Sequence, residues 1–116
     1  MKIHQRRKED VHIFELAGEL DFHNSPKLRE ELLKSIEKQT KKILDNLKKV
    51  NYIDSSGLAT FVEALQKSKK SNTKLVLAEL EARVRSVFEI AKLDEIFVFA
   101  SSEEEGVNLL GDAKHV

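Results

Sequence analysis

"YIDSSGL", Tyr52 to Leu58, is the stretch on which the fold turns. An apolar pair runs into an acid, two serines, a glycine and a leucine. Phe61, Val62 and Leu65 then follow Leu58 at the i, i+3, i+4, i+7 spacing of a helix face. An extended segment therefore hands over to a helix somewhere in Asp54–Gly57. Gly57 falls in the first turn, where glycine costs ~1 kcal/mol relative to alanine. The chain has only four glycines, so this one needs a reason.

Two readings account for the stretch. In the first it is a helix start, since Asp54, Ser55 and Ser56 are all good N-caps. That reading uses one of the three and gives Gly57 no task. Neither serine has a Glu or Gln three residues on to complete a capping box. In the second reading the loop is functional. A helix N-terminus offers free N–H groups and a positive dipole end, which favour a phosphate. A serine there can carry a covalent phosphate, and a bare glycine beside it lets another backbone approach. The residues alone leave both readings open.

Working outward, Lys2 to Arg7 reads as an edge strand and "VHIFELA", Val11 to Ala17, as an interior strand apolar on both faces. "GELDFHN", Gly18 to Asn24, reads as a loop. Ser25 is the expected N-cap of a helix with Pro26 at its first position and Leu28, Leu32 and Ile36 on one face. A short strand covers Ile43 to Leu47, and Lys48 to Tyr52 leads into the opening motif. "KSKKSNTK" ends the helix that follows. Leu75 to Ala78 is a short buried strand, Val84, Val87, Phe88 and Ala91 mark a helix, and Ile96 to Phe99 a last strand. Ser102 and Glu105 form a capping box for a helix through Val107 and Leu110. Gly111 closes it, with residues 111–116 expected to fray.

Strands alternating with helices predict a single α/β domain over residues 1–116. The mixed sheet has four to five largely parallel strands, one antiparallel edge pair and helices mainly on one face. The 116 residues suffice for a core without staples. The absence of cysteine excludes disulfides, thiolate zinc sites and thiol nucleophiles. Twenty basic and twenty acidic residues cancel, so the sum gives no general attraction to nucleic acid or anionic lipid. No apolar run approaches the ~20 residues of a membrane span, and the first ten residues lack the apolar core of a signal peptide. A cytoplasmic monomer follows as the expectation, with no nucleic-acid or membrane partner.

Enzyme signatures are missing. There is no Walker or dinucleotide glycine loop. The four histidines, His4, His12, His23 and His115, show no ligand spacing and read as surface or edge residues. "DSSGL" is not the nucleophile elbow of a serine hydrolase. No cofactor, metal or catalytic residue is expected.

"GELD" at Gly18 to Asp21, "ILDNLKKVNYIDSSGLATFVEAL" at Ile43 to Leu65, "AKLDEIF" at Ala91 to Phe97 and the helix start "SSEEE" together resemble the anti-anti-sigma factors, the bacterial branch of the STAS domains. The likeness spans nearly the whole chain. It implies a partner switch, in which the unmodified protein binds an anti-sigma factor that is also a GHKL-type serine kinase. A sigma factor is thereby released. Phosphorylation of the serine after the motif's aspartate ends the binding, and a PP2C-type phosphatase restores it. That serine is Ser55, flanked by Asp54, Ser56 and Gly57 on the partner-binding edge, with Asp21 beside them. The resemblance also admits a STAS scaffold of a stress-signalling complex with a different partner, or a nucleotide-binding STAS module. Two positions depart from the family pattern. Lys92 stands where a glycine usually ends the helix with left-handed geometry, and is expected to support that end by its charge. Gly106 replaces a commoner alanine and is expected to weaken the last helix slightly.

Overall fold

A computed structural model describes residues 1–111. The order is β1 (Lys2–Lys8), β2 (Val11–Leu20), α1 (Ser25–Glu37), β3 (Lys42–Ile53), α2 (Ser55–Lys70), β4 (Lys74–Ala78), α3 (Ala82–Ile90), β5 (Val98–Ala100) and α4 (Glu103–Gly111). The strands lie in sequence order in one sheet, with β1 antiparallel to β2 and the other pairs parallel. The mixed sheet with one antiparallel edge pair is as the sequence predicts. The expected frayed tail falls at residues 112–116, outside the described residues; Gly111 itself is the last residue of α4.

The main core lies between one sheet face and α1, α2 and α3. It holds Phe14, Leu16, Leu28, Leu32, Leu47, Phe61 and Phe88 among others. A smaller cluster on the reverse face, with Leu44, Val76, Val107 and Leu110, seats α4. Arg6 of β1 bridges Glu15 of β2 and Glu103 of α4 across that face. The hydrogen bond from Arg6 holds the Glu103 carboxyl below its usual range.

Asp45 sits in mid-β3, in register between Phe14 and Leu77. By strand alternation it shares the main-core face with Ile43 and Leu47. It is fully buried and neither carboxyl oxygen has a hydrogen-bond partner. Burial alone pushes this carboxyl well above the ordinary range.

Several boundaries differ from the sequence reading. Gly18, Glu19 and Leu20 belong to β2, not to a loop, and Lys48–Tyr52 belongs to β3. Both strands run through register shifts, between Glu15 and Ala17 and between Gly18 and Glu19. The amide of Lys48 bonds to Oδ1 of Asn46 at 2.9 Å, a local side-chain pairing that makes the segment read as a turn. Gly18 adopts φ 114°, open to glycine alone at low cost. Ile96 and Phe97 precede β5, which starts at Val98. Ser25 is the first residue of α1, whose N-cap is Asn24. At α4 the amide of Glu105 does bond to Oγ of Ser102 at 3.0 Å, but the Glu105 carboxylate takes the amide of Ser101 at 2.7 Å.

Three helices end without glycine. Gln39, Asn72 and Lys92 all take left-handed φ, at 66°, 56° and 60°. After α3 the amide of Lys92 bonds to the carbonyl of Glu89 and that of Leu93 to the carbonyl of Phe88, which is the Schellman pattern. The geometry expected of glycine is thus kept with lysine in the strained position. Gly106 also has a packing role: a Cβ there would stand 2.5 Å from Leu44 Cδ1.

Candidate functional site: the edge joining Asp21 and Ser55

Parallel neighbours β2 and β3 end level, with Leu20 opposite Ile53. The next residues, Asp21 and Asp54, therefore emerge side by side at the carboxyl edge of the sheet, where α/β proteins place their sites. The two loops are tied together. The Asp54 amide bonds to the carbonyl of Leu20 at 3.2 Å. The Phe22 amide bonds to Oδ2 of Asp54 at 3.0 Å.

Asp54 is the N-cap of α2, in extended backbone. Its Oδ1 accepts the amides of Ser56 at 2.9 Å and Gly57 at 3.2 Å. Of the three N-cap candidates the acid takes the position, which frees the serines from it. It also consumes the donors a phosphate would need. The expected open anion site at this helix start is therefore filled by the protein's own carboxylate. That is the physical argument against a nucleotide held here by α2 alone.

Ser55, the first residue of α2, is exposed. It lines a groove of about 700 Å³ together with Leu58, Ala59, Val62 and Leu93, and with Glu63, Gln66, Lys67 and Lys70 farther along α2. Ser56 turns the other way, into a cleft beside Ser25 and Arg29 of α1. The adjacent hydroxyls thus serve different surfaces, and only Ser55 is open on the groove side. Arg29 holds Glu63 of α2 through two hydrogen bonds of 2.6 and 2.7 Å, fixing α1 against α2.

Gly57 corrects the sequence reading. It is buried and presents no bare surface to a partner. A Cβ there would meet the carbonyl oxygen of Leu20 at 2.6 Å and Ile53 Cγ1 at 2.7 Å. Glycine is needed so that the first turn of α2 can lie against the ends of β2 and β3.

Asp21 is half-buried and also structural. Its Oδ1 accepts the amides of His23 at 3.1 Å and Asn24 at 2.9 Å, and its carbonyl accepts that of Ser25 at 2.9 Å. These bonds build the turn into α1. Sequence reasoning missed Phe22, a residue 79% exposed on this turn. The signal was an aromatic residue set in a polar turn directly after the acid.

Among the described residues no histidine bonds to Ser55 or Ser56. His12 pairs instead with Ser35 at 2.7 Å and with the Gln5 side chain at 2.8 Å, inside a polar cleft between β1, β2 and α1. Burial is the main cause lowering its pKa, with Arg7 and Lys38 adding. Among the described residues no helix is long and apolar enough to cross a membrane.

Comparison with known proteins agrees with this geometry. The anti-sigma-B factor antagonist of Bacillus subtilis (strain 168) is 34% identical over 103 residues, which are 89% of this chain and 93% of that protein. The structure of an anti-sigma-factor antagonist (STAS) domain protein from Planctomyces limnophilus superposes with a TM-score of 0.82 at 14% identity, covering 94% of this chain and 97% of that one. SpoIIAA, an anti-sigma factor antagonist, matches at a TM-score of 0.74 in both its unphosphorylated and phosphorylated forms, at 17% and 20% identity. Those two matches cover 99% and 94% of this chain, and 100% and 99% of the SpoIIAA chains. The STAS domain profile matches residues 2–106, so this chain belongs to the STAS domain family.

Proposed function

We propose that the protein is an anti-anti-sigma factor. Its unphosphorylated form binds an anti-sigma factor that is also a GHKL-type serine kinase, and a sigma factor is released. Phosphorylation of Ser55 switches the binding off, and a PP2C-type phosphatase restores it. The protein works without cofactor in the cytoplasm, where its partners act. One observation carries the reading: an exposed serine opens helix α2 beside a groove of apolar floor and charged flanks, and is tied through Asp54 to the Asp21 turn. The similarity to the Bacillus subtilis antagonist supports the same role.

Phosphorylation adds about −1.5 to −2 charge at pH 7. The nearest helix amides already belong to Asp54, so the new charge meets a carboxylate and not a vacant cradle. At the partner surface it brings bulk and repulsion together. Each 1.4 kcal/mol lost is about tenfold in affinity, so two or three such steps suffice to exchange partners. Incubation with each GHKL kinase of the source organism and ATP, followed by mass mapping, tests the reading. Phosphate on Ser55 and loss of kinase binding are expected. Phosphate on Ser56, or unchanged affinity after stoichiometric modification of Ser55, refutes it.

A further inference from the structure

Phe22 stands apart from the other five phenylalanines. Phe14, Phe61 and Phe88 are completely buried, and Phe97 is nearly so. Phe99 packs against Phe88 with ring centroids 5.5 Å apart and lies under the Arg85 guanidinium. Phe22 is 79% exposed and joins none of the aromatic contacts found among the described residues.

A single exposed apolar side chain is ordinary on a protein surface. What distinguishes Phe22 is how firmly it is presented. Its own amide is held by Asp54 Oδ2. The next two amides are held by Asp21 Oδ1. The Asn24 side chain donates to the carbonyl of Glu19 at 2.9 Å and closes the turn from behind. The backbone is therefore fixed before any partner arrives, and an aromatic ring has only two torsions left to order. Anchors of this kind carry most of the binding energy at protein interfaces, because little freedom is lost on docking.

The surroundings specify the partner. Glu19 is exposed, and Asp21 and Asp54 are half-buried at the same edge. The three acids give this edge a negative character, though Asp21 and Asp54 are engaged by backbone amides, and an apolar ring on an acidic edge fits an apolar pocket bordered by arginine or lysine. We infer that Phe22 is the aromatic anchor by which this protein recognises its anti-sigma factor, inserting into an apolar, cation-rimmed pocket of that protein. The inference rests on the function proposed above and adds to it a specificity-determining residue outside the serine motif.

The test is calorimetric titration of unphosphorylated protein against each anti-sigma factor kinase of the source organism, purified singly. Phe22→Ala, Phe22→Leu and the control Ile90→Ala are compared. Ile90 is 82% exposed at the end of α3. Phe22→Ala should bind at least thirtyfold more weakly, Phe22→Leu a few-fold, and Ile90→Ala as wild type, with all three melting at the wild-type temperature. Wild-type affinity in Phe22→Ala, or an equal loss in Ile90→Ala, overturns the anchor while leaving the proposed function standing. A wild-type protein that binds none of the kinases overturns the proposed function, and the anchor with it.

Discussion

Leu93 donates its amide to the carbonyl of Phe88 at 2.8 Å, and the bond closes over Lys92 at φ 60°. A residue with a Cβ pays ~1 kcal/mol to sit in the left-handed region, whereas glycine sits there freely. Lys92→Gly is therefore expected to stabilise the protein by ~0.5–1 kcal/mol, part of the gain being offset by glycine's greater freedom when unfolded. Urea unfolding should show a higher midpoint with an unchanged slope. A lower midpoint would mean that the lysine side chain supplies more than the backbone loses.

Gly57→Ala should act on the fold before it acts on any partner. The new methyl would lie 2.6 Å from a backbone carbonyl, which cannot swing aside as a side chain can. A loss of ~1–3 kcal/mol is expected for such overpacking. Wild-type melting together with weaker partner binding would restore the idea of Gly57 as a surface contact.

Ser55 and Asp21 separate the switch from the scaffold. Ser55 is exposed, so Ser55→Ala should keep stability within ~0.5 kcal/mol, bind the kinase and take no phosphate. Asp21→Asn retains a side-chain oxygen for the amides of His23 and Asn24 while removing the charge. It should fold as wild type and bind more weakly at low salt, the difference shrinking as salt rises. Equal affinity of Asp21→Asn and wild type at every salt concentration would remove Asp21 from the interface.

Asp45 predicts an unusual pH dependence. Its carboxyl titrates higher in the folded state than in the unfolded one, so the folded state binds the proton more tightly. The carboxylate therefore destabilises the fold at pH values above its raised pKa. This penalty shrinks as pH falls through that value and is gone below the ordinary aspartate value of 3.8. Glu63 and Glu103 have lowered pKa values and act in the opposite sense, so the comparison must be between proteins. Asp45→Asn should be more stable than wild type at pH 8, with the gap closing towards pH 4 in denaturant titrations. A gap independent of pH would show that Asp45 titrates alike in the folded and unfolded states, so that burial does not raise its pKa.

The strand–helix alternation was legible because each apolar run carries its own period. The helix faces at Leu28, Leu32 and Ile36, and at Leu58, Phe61 and Leu65, needed no further information. The carboxyl halves of β2 and β3 were not legible, because register shifts break the alternation and Gly18 and Asn46 mimic turn residues. Seating α4 on the reverse face depends on Leu44 and Val76 pointing away from the main core, a matter of register that no single segment reveals. At the candidate site, Asp54, Ser55 and Ser56 could be singled out from their pattern, and Asp21 only through the family resemblance. Their division of labour could not, since Asp54 and Gly57 owe their roles to Leu20 and Ile53, residues distant in sequence. Phe22 was passed over because one aromatic in a turn has no period; its only mark was its place in a polar segment directly after Asp21.

The two borders of the sheet limit how this molecule can be recognised. One border is β1, "KIHQRRK", whose exposed positions are lysine, arginine, histidine and glutamine. The other is β5, only three residues long. Proteins that are read by strand addition offer a long, unguarded row of backbone donors and acceptors. Here one row is fenced by charge and the other is too short to template a neighbour. A partner is left to read side chains and helix ends, so on the function proposed above a phosphate on Ser55 would change the surface offered without changing the sheet.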